Sequence, residues 1–122
     1  MKLHLNTSTG RKFFTSHGEG YVTVGGQRYE HPVVVTPEQV LTDWQPQSFD
    51  ALDEAHFAYF LELKPEILLL GTGMQQRFPH PRLYRALTDS GTGVECMNTA
   101  AACRTCNILM AENRRVVAAI LL

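Results

Sequence analysis

Apolar and polar positions along the chain change period twice, and those changes predict its elements. Gly20-Tyr21-Val22-Thr23-Val24 and Gln27-Arg28-Tyr29-Glu30-His31 read as β and flank Gly25-Gly26. A glycine pair suits the positive φ angles of a two-residue turn, so a β-hairpin is expected. After Pro32, the β-branched run Val33-Val34-Val35-Thr36 predicts a further strand. A short one is expected around Val40-Leu41, running toward Trp44 between Pro37 and Pro46.

From Ser48 the period becomes helical. With Ser48 as N-cap, Phe49, Leu52, Ala55, Tyr59, Phe60 and Leu63 fall on one face of a predicted helix that Pro65 ends. Asp50, Asp53 and Glu54 lie in its first turns, where carboxylates complement the helix dipole. The run Glu66-Ile67-Leu68-Leu69-Leu70, ending in Gly71, fits a strand covered on both faces. Pro81 suits the first turn of a helix through Ala86-Leu87 that stops near Gly91. Val94-Glu95-Cys96-Met97 reads as a strand, Asn98 or Thr99 caps a helix from Ala100 to Glu112, and Val116 to Leu122 forms a final buried strand. The order is a hairpin region followed by α-β-α-β-α-β. It predicts an α/β fold: a three-layer single domain over residues 1–122, with a mixed or parallel central sheet between helices and an appended N-terminal β-hairpin.

Composition narrows the function classes. At 122 residues, 44% hydrophobic and 19% charged, the chain has the make-up of a globular domain with a real core. Eleven Lys and Arg oppose twelve Asp and Glu, a net charge of −1 that offers no long-range attraction to nucleic acid. The first ten residues, M-K-L-H-L-N-T-S-T-G, show no apolar signal region, and the longest apolar run, V-V-A-A-I-L-L, is too short to span a bilayer. Three cysteines then read as reduced thiols. The expectation is a cytoplasmic protein that binds no nucleic acid and is not integral to a membrane.

Candidate chemistry starts with Cys103-Arg104-Thr105-Cys106, which can be a redox switch, half of a zinc site, or packing. At roughly 100° per residue, Ala102, Cys103, Cys106, Leu109 and Met110 share an arc of about 120°, while Arg104, Asn107 and Ala111 share the opposite arc. Cys103 falls about a turn inside the helix, past the end where the dipole activates a thiol. No histidine stands at a spacing that would complete a zinc site. The pair reads as packing, with redox and metal roles as the alternatives.

Two loops follow strands at what is expected to be one sheet edge. Gly71-Thr72-Gly73 leads through Arg77 to Phe78, and Met97-Asn98-Thr99 enters a helix. Carboxyl ends of parallel strands line the usual ligand crevice of open α/β sheets, and a helix N-terminus offers N–H groups to an anion. Each loop also has a plainer reading, as a tight turn and as a helix cap. Gly71, Thr72, Gly73, Arg77, Phe78, Met97, Asn98, Thr99, Arg104 and Asn107 are therefore the candidate ligand- or partner-binding residues. His56 reads as packed at the edge of its helical stripe, and His4, His17, His31 and His80 lack companion ligands, so no catalytic residue, metal site or cofactor is expected.

Three stretches carry a family resemblance. Pro65-Glu66-Ile67-Leu68-Leu69-Leu70-Gly71-Thr72-Gly73, Gly93 through Leu109, and Glu112-Asn113-Arg114-Arg115-Val116-Val117-Ala118-Ala119 together resemble a domain-of-unknown-function family. That family includes mitochondrial respiratory complex I assembly factor 3 and the adipogenesis-associated domain protein. The resemblance extends to the upstream Gly-Tyr-Val-Thr-Val and Val-Val-Val-Thr-Pro segments. It implies a three-layer α/β fold with no established enzymatic activity, and mitochondrial relatives that act as assembly partners for complex I. Without a mitochondrial presequence, the chain looks like a free-standing prokaryotic member. Cys106 stands where the family commonly has an aromatic residue, which favours packing. Asn113 stands where glycine is common, and it suits the left-handed helix cap next best. The resulting expectation is a non-enzymatic protein-interaction module with a protein partner. Small-molecule or anion binding in a crevice between the 71–78 and 97–99 loops is the alternative, with a thiol redox protein behind it.

Overall fold

The computed structural model describes residues 10–122; His4 lies outside them. Strands β1 (Phe14–Gly18), β2 (Tyr21–Val24) and β3 (Gln27–Tyr29) form an antiparallel three-stranded sheet. Gly25 and Gly26 make its tight turn with φ of +57° and +87°, values that side chains resist. The expected hairpin is present, but β1 was not expected. Only Phe14 of its five residues is buried, so the strand carries no period-two pattern to read. A bulge between Phe14 and Ser16 shifts its register against β2.

The second sheet has five strands in the order β5-β4-β8-β6-β7: β4 (Val33–Val35), β5 (Val40–Leu41), β6 (Ile67–Thr72), β7 (Gly93–Met97) and β8 (Val116–Leu121). Strands β6, β7 and β8 run parallel, with β6 between the other two, and β4 lies antiparallel to β8. The sheet is therefore mixed. All six residues of β8 are buried, as a strand covered on both faces must be. Val116, Ala118 and Ile120 join one core while Val117, Ala119 and Leu121 join the other.

The first core lies beneath the three-stranded sheet and helix α3 (Thr99–Ala111), where Phe14, Val22, Val24, Leu69, Cys106 and Met110 meet. The second lies beneath α1 (Glu54–Ala58), α2 (Arg85–Asp89) and their flanking turns, around Trp44, Phe57, Phe60, Leu68 and Leu87. The layers match the expected three, with the small sheet standing beside α3.

One expected element is corrected. The helix from Ser48 to Leu63 is a 3-10 turn over Phe49–Ala51 followed by the five-residue α1. Ser48 makes no side-chain cap, and Leu52 is extended (φ −63°, ψ 135°), which breaks the helix. Asp53 starts α1 instead: its carboxylate accepts the His56 N–H, and His56 Nδ1 accepts the Asp53 N–H. Ala55, expected on the apolar face, is exposed, and Phe57 is buried in its place. Residues 81–91 also split, into a 3-10 turn over Pro81–Tyr84 and then α2, which gives way to Gly91 at φ +94°.

Helix α3 starts on Asn98, whose side chain accepts the Ala101 N–H at 2.8 Å. It ends with Asn113 at φ +61°, where Asn113 N–H donates to Met110 O and Arg114 N–H to Leu109 O. Those two bonds are the paired closure of a left-handed helix cap, so asparagine does here what glycine commonly does.

Candidate functional site

Because β6 and β7 are parallel neighbours, the 71–78 and 97–99 loops meet at their carboxyl ends. Hydrogen bonds then join the two loops. Thr99 N–H donates to Gly73 O at 2.9 Å, and Gly73 N–H donates to Thr99 Oγ1, also at 2.9 Å. Thr99 Oγ1 donates in turn to Leu121 O at 2.8 Å. Thr72 Oγ1 lies 3.2 Å from Met97 O and accepts the Arg77 N–H at 3.1 Å. Gln76 Nε2 donates to Cys96 O at 3.0 Å. The loops are zipped along a seam, and open space lies on either flank of it.

Gly71 serves the seam by being small. A Cβ there would meet Ile120 Cδ1 at 3.0 Å, Thr99 Oγ1 at 3.1 Å and Ala102 Cβ at 3.3 Å. Its missing side chain lets α3 sit close on β6. Gly73 differs, with φ +93° and open space where a side chain would point.

On one flank, His17–Gly20 at the turn between β1 and β2 faces Met74, Asn98–Ala100 and Leu122 across a hollow of about 310 Å³. Of the first three N–H groups of α3, that of Thr99 is taken by Gly73 and that of Ala101 by Asn98. The Ala100 N–H has no partner among the described residues, and Glu19 lines the same hollow. On the other flank a hollow of about 440 Å³ runs past Glu30, His31, Phe49, Gln75 and Arg77. Arg77, the charge that the sequence offers for a ligand, is already engaged. Its Nη2 donates to Asp50 Oδ1 at 2.7 Å, and its guanidinium sits 4.1 Å from the centre of the Phe49 ring.

Arg104 and Asn107 belong elsewhere. They line a separate hollow of about 360 Å³ with Phe14–His17 and Cys103. Asn107 clamps the hairpin to α3: its Nδ2 donates to Phe14 O and its Oδ1 accepts the Phe14 N–H, both at 2.8 Å. Asn107→Ala is expected to destabilise the fold by about 1–2 kcal/mol and to speed amide exchange selectively over 14–18. Exchange measured by mass spectrometry checks this.

Cys103 and Cys106 are buried within the first core. Burial pushes both thiols up to about 12, only partly offset at Cys103 by Arg104. Cys96, partly exposed on β7, rises to about 11 for the same reason, with Glu95 adding to it. A group whose folded pKa is raised contributes stability below its unfolded value, near 8.5, and loses it as pH climbs toward the folded one. Stability is thus expected to fall above about pH 8.5, less steeply in a Cys103→Ala/Cys106→Ala variant. Iodoacetamide is expected to leave both thiols unmodified in the folded chain and to label them in denaturant.

The structure brings Thr72, Gly73, Met97, Asn98 and Thr99 together at one sheet edge, where the sequence expects the two loops. The turn between β1 and β2 and Leu122 also reach this edge, through the fold alone, as does Met74. Met74 is 76% exposed and Phe78 71%, the two most exposed large apolar side chains among the described residues. Among those residues no group of three or more His, Cys, Asp or Glu is placed to hold a metal ion, and no helix is long and apolar enough to cross a membrane.

Comparison with known proteins agrees with this architecture. The chain is 40% identical to a Bordetella parapertussis protein of known crystal structure, covering 92% of this chain and 96% of that one with a TM-score of 0.86. A Bordetella pertussis protein described as a Mth938-like domain is 34% identical over 90% of this chain and 85% of that one, with a TM-score of 0.79. The 13 kDa major membrane protein of Francisella tularensis is 32% identical over 106 residues, 85% of each chain. The mouse NADH dehydrogenase (ubiquinone) 1 alpha subcomplex assembly factor 3 is 32% identical over 111 residues; these are 89% of this chain but 60% of the factor's length. The model of one family, described as protein of unknown function (DUF498/DUF598), matches residues 14–121, and the chain belongs to that family, which includes the complex I assembly factors.

Proposed function

We propose that this chain is a non-enzymatic protein-interaction module of the cytoplasm, with a role in assembling a respiratory complex. The observation that carries the reading is the presentation of Met74 and Phe78. The loop that holds them is tied down by Thr72 Oγ1, by Gln76 on Cys96 O and by Arg77 on Asp50 and Phe49. Pro79, next to Phe78, is buried. A well-tied loop that still holds two large apolar side chains in water resembles the preorganised anchors of binding surfaces. Relatives named as assembly factors support the same reading. It treats residues 1–122 as one domain, because both cores share the central sheet. The net charge of −1 gives nucleic acid no part in it.

Affinity purification from the native cell tests this. The intact protein should retain a specific protein in near-stoichiometric amount, and a Met74→Ser/Phe78→Ser variant should lose it while melting as the parent does. Equal recovery by both proteins removes the reading. The 310 Å³ hollow at the start of α3, where the Ala100 N–H has no partner among the described residues, favours small-anion binding as a second function. Under that second reading, phosphate or a small carboxylate raises the melting temperature.

A further inference from the structure

We infer that the partner docks along the surface from Phe78 to Arg85 and presents acidic residues beside an apolar anchor. The inference rests on the interaction reading above and supplies the chemistry of the partner. In a chain of net charge −1, residues 67–88 contain Arg77, Arg82 and Arg85 and no Asp or Glu. Asp50 answers Arg77, but Arg82 and Arg85 are exposed and form no ion pair among the described residues.

These two arginines line a hollow of about 570 Å³ between α1 and the 81–89 segment, with Phe57, Leu83 and Tyr84 among its apolar lining. Phe78 precedes Arg82 by four residues, so chain reach keeps their Cα atoms within about 14 Å. Phe78, 71% exposed, thus lies within chain reach of an apolar hollow whose two arginines form no ion pair among the described residues. An exposed aromatic ring needs a pocket and a hollow needs a side chain, and another protein supplies both. An anionic bilayer supplies neither, and it would also meet Glu54 and Asp89, which line the same hollow. A peptide segment can set its carboxylates against the arginines alone.

A random peptide library displayed on phage, panned against the whole chain, tests this. Recovered peptides should be enriched in Asp or Glu next to an aliphatic or aromatic residue. A synthetic copy should bind at least about tenfold more weakly to Arg82→Glu/Arg85→Glu. It should also lose affinity with Phe78→Ser and with rising salt. All three substituted positions are exposed, and each variant's melting temperature is compared with the parent's to confirm folding. Peptides that need Phe78 but bind the charge-reversed variant equally well overturn the acidic chemistry and leave the interaction reading standing. Recovery of no Phe78-dependent peptide counts against both. Retention on phosphatidylglycerol but not phosphatidylcholine vesicles, lost on charge reversal, would give the surface to lipid and overturn the inference.

Discussion

Trp44→Ala is expected to lower stability by about 3–5 kcal/mol. Trp44 is 2% exposed and fills the centre of the second core. Its ring lies 5.4 Å from that of Phe60 and 6.4 Å from that of His56, and its Nε1 donates to His56 O at 2.9 Å. The indole therefore fastens the chain after β5 to helix α1. Removing it opens a large cavity and leaves a carbonyl of α1 without its donor. Trp44→Phe separates the two contributions, because it keeps most of the packing and loses only the hydrogen bond, at about 1–2 kcal/mol. Urea titration of the three proteins measures both steps. Equal stability of all three would mean that this core does not hold the outer helical layer.

Thr99→Val is expected to cost about 2–4 kcal/mol although it changes shape very little. The hydroxyl accepts the Gly73 N–H and donates to Leu121 O, so one side chain satisfies groups on the loop after β6 and on β8. Valine fills the same space and leaves both groups without that partner. Only the Thr99 N–H to Gly73 O bond then holds the two loops at this point. Thr99→Ser retains the hydroxyl and should lose less than about 1.5 kcal/mol. Amide exchange at Gly73 should quicken in the valine variant and stay slow in the serine one. The reverse order would contradict the account of the seam.

Much of this fold was legible because its central elements have strong local signatures. The Ile67–Leu70 run, the terminal Val116–Leu121 run and the α3 pattern are uniform over their lengths, and they fell within a residue or two of the observed bounds. Gly25-Gly26 marked its turn because few other pairs take two positive φ angles. The 48–63 segment misled because an apolar spacing of three and four residues also arises from consecutive short turns. Asp53 is the residue that starts the helix, and its partner at the third position is a histidine rather than the usual Glu or Gln.

At the site, legibility stopped at side-chain destinations. Arg77 looked free for a ligand because Asp50, its partner, lies 27 residues away. Asn107 looked like a polar residue on an open helix face, yet it holds the backbone of Phe14 across 93 positions. Phe78 was singled out for its loop, but its exposure depends on how Thr72, Gln76 and Pro79 fix that loop. Periodicity carries no such information. The cysteines went the other way: helical phase alone put Cys103 and Cys106 on the buried stripe, and there they lie.

The central claim is that function resides in the loop after β6 that presents Met74 and Phe78. Photo-crosslinking in the native cell tests it most directly, with p-benzoylphenylalanine replacing Phe78 in one protein and Ile108 in another. Ile108 is the control because it too is an exposed apolar residue, 59% accessible, but on α3. The account predicts a discrete adduct with one protein from position 78 and none from position 108. An adduct from position 108 alone, or none from position 78, would contradict it.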